Sequence, residues 1–314
     1  MMDERSLGRV LKNVFKPKER EKILVISDYE KEKLGKKFFN AFKTFSENVF
    51  LLVMPPLGQH GEEPESLVAE AMKNCDVFLA ITKYSLTHTR ARIYATKVKK
   101  VRGASLPNFV PKMLPSLLEN PLEMRKLGLK LKRVLSNGKK VLVKAKNGTQ
   151  IEFSIEGRVI DIDEGLYDRK GYFGNLPAGE VCLAPKEGTA NGTIVIDSMK
   201  EGKEVYARKG TKIKVKDGIA VEIDDKKSKL ARFFEKVENA RNLAEFGIGI
   251  NRKAKLIGYI LQDEKVYGTC HFAFGDNLGL GGKIKSEIHL DGIIIKPNIW
   301  VDGKLIMKDG RVLI

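Results

Sequence analysis

Residues 22–54, KILVISDYEKEKLGKKFFNAFKTFSENVFLLVM, decide the fold of the first half of the chain. KILVISD at 22–28 and NVFLLVM at 48–54 are short apolar runs rich in β-branched residues, and the segment between them spaces its apolar side chains at helical intervals. A strand, a helix and a second strand in that order make a crossover unit. The alternation continues outward through EPESLVAEAMKN at 63–74, DVFLAIT at 76–82 and VRGASL at 101–106. This pattern predicts an α/β domain over residues 1–135 with a mostly parallel sheet. Loops that follow such strands line the cleft at their carboxyl ends, so Asp28, His60 in PPLGQHG and His88 in YSLTHTRAR are candidates for substrate contacts. Beside His88, Thr87 or Thr89 can cap a helix whose N-terminus attracts anions.

After a helix-like segment, EMRKLGLKLKRVLSNG at 123–138, the pattern changes. Short runs such as KVLVKAK, IEFSIEG, GEVCLAP, GTIVID and TKIKVKDG follow one another between glycine-containing turns, and one helix, KKSKLARFFEKVENAR, interrupts them. A β-rich α+β domain over residues 136–314 is therefore expected. No GxGxxG or Walker-type loop is present, which lowers nucleotide cofactors despite the α/β first half.

Composition bounds the remaining classes. With 314 residues, 42% hydrophobic and 31% charged, the chain is long enough for two packed domains and too apolar to be disordered. The net charge of +17 is spread along the chain, without the interleaved basic and aromatic residues of a nucleic-acid platform, so nucleic acid is not the expected partner. Cys75, Cys182 and Cys270 are odd in number and far apart, which points to a reducing, cytoplasmic setting. The first twenty residues carry acids and no continuous apolar run, which argues against a secretory signal, and runs such as VFLLVM are too short to span a bilayer. Abundant Lys and Glu with few glutamines fit a thermophile.

The candidate chemistry lies near the end, in CHFAFGDNLGLGGKIKSEIHLDGIIIKPN at 270–298. On an extended strand Glu287, His289 and Asp291 project from one side, where one cation could meet them. His271 can reach the same place if the glycine-rich connection folds back. Two histidines and a carboxylate suit zinc, cobalt, manganese or iron. Cys270 faces away from its neighbour and reads as a small buried hydrophobe. Glu180 heads an otherwise apolar strand after Pro-Ala-Gly, and Glu245 is flanked by Phe246, Gly247 and Ile248, settings in which acids are paired or bound to metal. Five such residues are enough for two metals that share carboxylates.

LPAGEV, EFGIGIN, GTCHFAFGDN and SEIHLDG occur in the order found in the aminopeptidase T family of metallopeptidases, which the chain resembles over most of its length. The resemblance implies an N-terminal α/β domain, a β-rich domain with a two-metal site, and a homodimer. Carried over motif by motif, the ligands are Glu180, Glu245, His271, His289 and Asp291. The family's tyrosine ligand after the first histidine has no counterpart in HFAFGDNLGLGG. The compact motif is also similar to a branch of the superfamily that includes 2,5-dihydroxypyridine dioxygenases, mononuclear iron enzymes with two histidines and one aspartate. His271, His289 and Asp291 would supply that set. The expected function is a metalloaminopeptidase, a hydrolase of peptides using zinc, cobalt or manganese, with Glu180, Glu245 and His88 as catalytic candidates. The alternative is an iron(II) ring-cleaving dioxygenase on a small-molecule substrate, with His88 or His60 as base.

Overall fold

The computed structural model describes residues 2–314. The chain divides into two compact units, Met1–Pro121 with Gly165–Ala178, and Leu122–Glu164 with Gly179–Ile314.

In the first unit, strands β1 (Ile23–Asp28), β2 (Val49–Met54), β3 (Val77–Ile81) and β4 (Arg102–Ser105) pair in parallel in the order β2-β1-β3-β4. The short strand Phe173–Asn175 adds to β4, also in parallel. β1, β3 and β4 are buried along their whole length, as expected of parallel strands covered on both faces; β3 is apolar throughout, whereas β4 buries Arg102 against Glu21. Helix α1 (Glu4–Phe15) starts at Asp3, whose carboxylate accepts from the Ser6 amide at 2.7 Å, and it buries Leu7, Leu11, Val14 and Phe15 along one stripe. Helix α2 (Glu32–Lys43) lies so close to β1 that a Cβ on Gly35 would stand 2.7 Å from Ser27.

The second unit is built on antiparallel sheets. In the larger one, Lys140–Lys144 and Lys212–Lys216 alternate buried and exposed residues, so one face packs into the core and the other meets solvent. The other sheet carries the candidate site. Its strands are β5 (Asp161–Asp163), β6 (Glu180–Leu183), β7 (Leu243–Gly249), β8 (Thr269–Gly275) and β9 (His289–Ile295), in the order β9-β8-β7-β6-β5. One face of this sheet sends Val181, Leu183, Phe246, Ile248, Cys270, Phe272, Phe274 and Ile294 into the main core. Phe153, Phe246 and Phe272 pack there in tilted and edge-on contacts with ring centroids 5.1 to 6.0 Å apart. Cys270 is thus the buried hydrophobe its position suggested. Among the described residues no helix is long and apolar enough to cross a membrane.

Candidate metal centre

Because the core takes one face of β6, β7, β8 and β9, the period of two places Glu180, Cys182, Glu245, Gly247, His271, Ala273, His289 and Asp291 on the other. The register sets them side by side. Gly247 pairs with both Cys182 and His271, Ala273 with Glu245 and Asp291, and Gly275 with His289. Small residues at 247, 273 and 275 leave a floor over which the longer acids and imidazoles converge.

The glycine-rich connection does fold back. Glu187 accepts from Asn277 Nδ2 at 3.0 Å and from the Lys283 amide at 2.9 Å, while its other oxygen is held by Arg158 at 2.8 Å. Asn277 Oδ1 accepts from the Ile284 amide at 2.8 Å. These bonds hold Glu187 down to about 2, although its partial burial works the other way.

Glu245, His271 and Asp291 bring one ligand atom each within 4.8 Å of one another. His271 Nε2 lies 3.3 Å from Glu180 Oε2 and 3.4 Å from Glu245 Oε1. His289 Nε2 lies 2.9 Å from Glu245 Oε2 and 3.7 Å from Asp291 Oδ1. Ligand atoms about 2.0–2.2 Å from a common ion stand about 3 to 4 Å apart, so the observed separations are those of a coordination shell. The ring nitrogens agree. His289 Nδ1 faces the Asp276 carbonyl at 2.7 Å, which only accepts, so Nδ1 carries the proton and Nε2 is the nitrogen presented to the acids. His271 has no such anchor, its buried Nδ1 lacking a hydrogen-bond partner; its ring is placed by packing over Gly247 instead. Two imidazoles with carboxylates fit a first-row divalent ion, and iron(II) is among those they suit.

Without an ion the imidazoles stand in for the missing charge. Burial works against a charged His271, but Glu245 and Glu180 outweigh it and push its pKa up to about 9. His289 moves the same way: desolvation opposes its charge, and Asp291 and Glu245 raise it well above the usual imidazole value. Burial of Glu245 would raise its carboxyl, yet the two histidines hold it far below the ordinary range. An incoming ion must displace those protons. Metal binding near neutral pH is therefore expected to release protons into the buffer, and affinity to rise as pH rises through the His271 value of about 9. Calorimetry in two buffers of different ionisation enthalpy measures the release; identical heats in both would contradict it.

Other sequence candidates have different places. Glu287 precedes β9 and is exposed. Asp28 is fully buried, and its two oxygens accept from the Lys31 and Lys83 amides, a structural role at the end of β1. Thr89 caps the short helix Arg90–Ile93, but Glu63 already accepts from the Arg90 and Ala91 amides at that end. His60 Nδ1 accepts from the Ser85 amide at 3.1 Å, and His88 is exposed. All three histidine-loop and Asp28 candidates belong to the first unit and are not among the cluster's residues.

Three site residues escaped the sequence reading. Cys182 sits two positions after Glu180 and so shares its face, within 4.8 Å of ligand atoms of Glu180 and Glu245. Burial, with Glu245 and Glu180 nearby, pushes its thiol far up, so it stays protonated. Lys265, in LQDEKVYG, resembles a solvated charge but is 1% exposed at its side chain and is bonded to Glu180 and Glu264. Gly247 was visible only as a glycine in an apolar strand.

Comparison with known proteins separates the two chemistries. The family model for 2,5-dihydroxypyridine 5,6-dioxygenase matches residues 12–314. The 2,5-dihydroxypyridine 5,6-dioxygenase of Pseudomonas putida KT2440 is 23% identical over 218 residues, 65% of this chain and 62% of that protein, so the match spans under two thirds of the relative. The solved structure of 2,5-dihydroxypyridine dioxygenase from Pseudomonas putida KT2440 superposes with a TM-score of 0.83 at 17% identity, covering 100% of this chain and 98% of the other. Wild-type AmpT of Thermus thermophilus superposes with a TM-score of 0.71 at 16% identity, with 100% of both chains covered. The two structures share the fold. The aminopeptidase expectation, with its hydrolase and protease chemistry, is overturned by the family match.

Proposed function

Because the chain belongs to the 2,5-dihydroxypyridine 5,6-dioxygenase family, we propose that it is an iron(II)-dependent oxygenase that opens the ring of a hydroxylated pyridine or a close analogue. The observation that carries this reading is the grouping of Glu245, His271 and Asp291 on one face of one sheet, with His289 Nε2 2.9 Å from Glu245 and 3.7 Å from Asp291. These residues would hold the ion. When bound, iron(II) supplies the electron chemistry that lets O₂ react with an aromatic ring.

The chain's own residues do the rest. The Asp276 carbonyl keeps the proton of His289 on Nδ1 and aims Nε2 inward. Glu245 accepts toward both rings and sets their orientation. Complete burial of β7 and β8 keeps bulk water from the floor of the site. His289, 33% exposed at its side chain, marks the open side from which a planar substrate would approach.

The test is an oxygen electrode with protein reconstituted anaerobically with iron(II) and then given 2,5-dihydroxypyridine. Oxygen uptake matched by loss of the ring absorbance is expected, with no cleavage of amino-acid anilides by the cobalt-loaded protein. Anilide cleavage without oxygen uptake would overturn the proposal.

A further inference from the structure

The site face offers two overlapping donor groups, Glu245–His271–Asp291 and Glu180–Cys182–Glu245, which share Glu245. Taken as a donor set alone, this is a place for two neighbouring cations. One cation is already part of the chain. Lys265 Nζ is bonded to Glu180 Oε1 and lies 2.7 Å from Glu264 Oε1, in a side chain only 1% exposed. Its backbone is pinned by the turn that follows the short helix Ile260–Asp263: the Lys265 amide donates to Gln262 O at 3.0 Å, and its carbonyl accepts from the Asn251 amide at 2.8 Å. The ammonium is thus held in place and has no route to water.

A second divalent ion would have to settle against this fixed ammonium while competing with it for Glu180. Placing a dication next to an immobile buried cation is costly.

We propose that Lys265 takes the place of a second metal ion, occupying Glu180 Oε1 and restricting the centre to one ion per chain. This rests on the metal-centre reading above and adds what sets its nuclearity.

The test is equilibrium dialysis against cobalt(II), with cobalt and protein quantified and folding followed by circular dichroism. Wild-type protein should hold one cobalt per chain. Lys265→Met should hold two, Lys265→Arg should stay at one, and adding Glu180→Gln to Lys265→Met should return it to one. Should Lys265→Met fail to fold, Lys265→Met with Glu264→Gln removes the stranded carboxylate and is measured in its place. Independently, Glu180→Gln alone should keep its single ion with affinity changed only a few-fold. Two ions in the wild type, one ion in the folded Met variant, or loss of the ion in Glu180→Gln would each overturn the role of Lys265. A wild-type protein that binds no cobalt would instead remove the metal centre itself.

Discussion

Replacing His271 with alanine is expected to lower iron(II) affinity by more than about 100-fold, because loss of an outer-shell partner alone costs about 10- to 100-fold and His271 faces the ion directly. Its Nε2 is within 3.4 Å of two carboxylates. Oxygen uptake should fall to background. Stability should fall as well, by about 2 kcal/mol, because a fully buried ring leaves a cavity beside two acids that have lost a hydrogen-bond partner. His289→Ala should lose the ion equally but cost less stability, since its side chain is partly exposed. Metal analysis after dialysis and chemical unfolding with chelator present separate the two effects. A His271→Ala protein that still carries one iron per chain would show that the centre does not use this ring.

Gly247→Ala is the second large effect, and it replaces no ligand. A Cβ at 247 would lie 2.1 Å from His271 Nε2 and 2.2 Å from its Cε1, closer than real contacts allow. Gly247 and His271 are direct partners in the β7–β8 ladder, so the ring cannot be relieved by sliding along the strand. It must turn away from the acids, or the two strands must part. The expected cost is about 1–3 kcal/mol of stability, together with roughly a 10- to 100-fold loss of metal affinity. Gly128→Ala is the control. In the helix Pro121–Asn137, its Cβ would meet Ile162 Cγ2 at 2.6 Å, so overpacking should lower stability while leaving metal binding intact. Equal metal affinity in Gly247→Ala and wild type would mean that packing over Gly247 does not place the imidazole.

Much of this could be read from the chain. The βα alternation of residues 22–106 produced parallel strands because covered strands must be apolar throughout, and the shift to short runs with glycine turns marked the antiparallel sheets. The alternation in EIHLDG put His289 and Asp291 on one face. His60 and His88 lie where α/β folds commonly bind ligands, but that rule concerns the sheet's carboxyl ends, and here the metal-compatible acids converge on a different sheet.

Sequence alone therefore determined the class of each element and which side chains share a face, because both follow from local periodicity. Only the tertiary structure decided which faces meet. Glu180 reaches the cluster through the pairing of Gly249 with Glu180, and His271 reaches Glu245 through a register shifted by an irregularity in β7. Such long-range pairings are chosen by burial of the opposite, phenylalanine-rich face, which carries no trace of the chemistry. The same holds for Lys265. A lysine between a glutamate and a valine reads as solvated until the fold closes over it, and then the cost of its burial forces it onto Glu180 and Glu264.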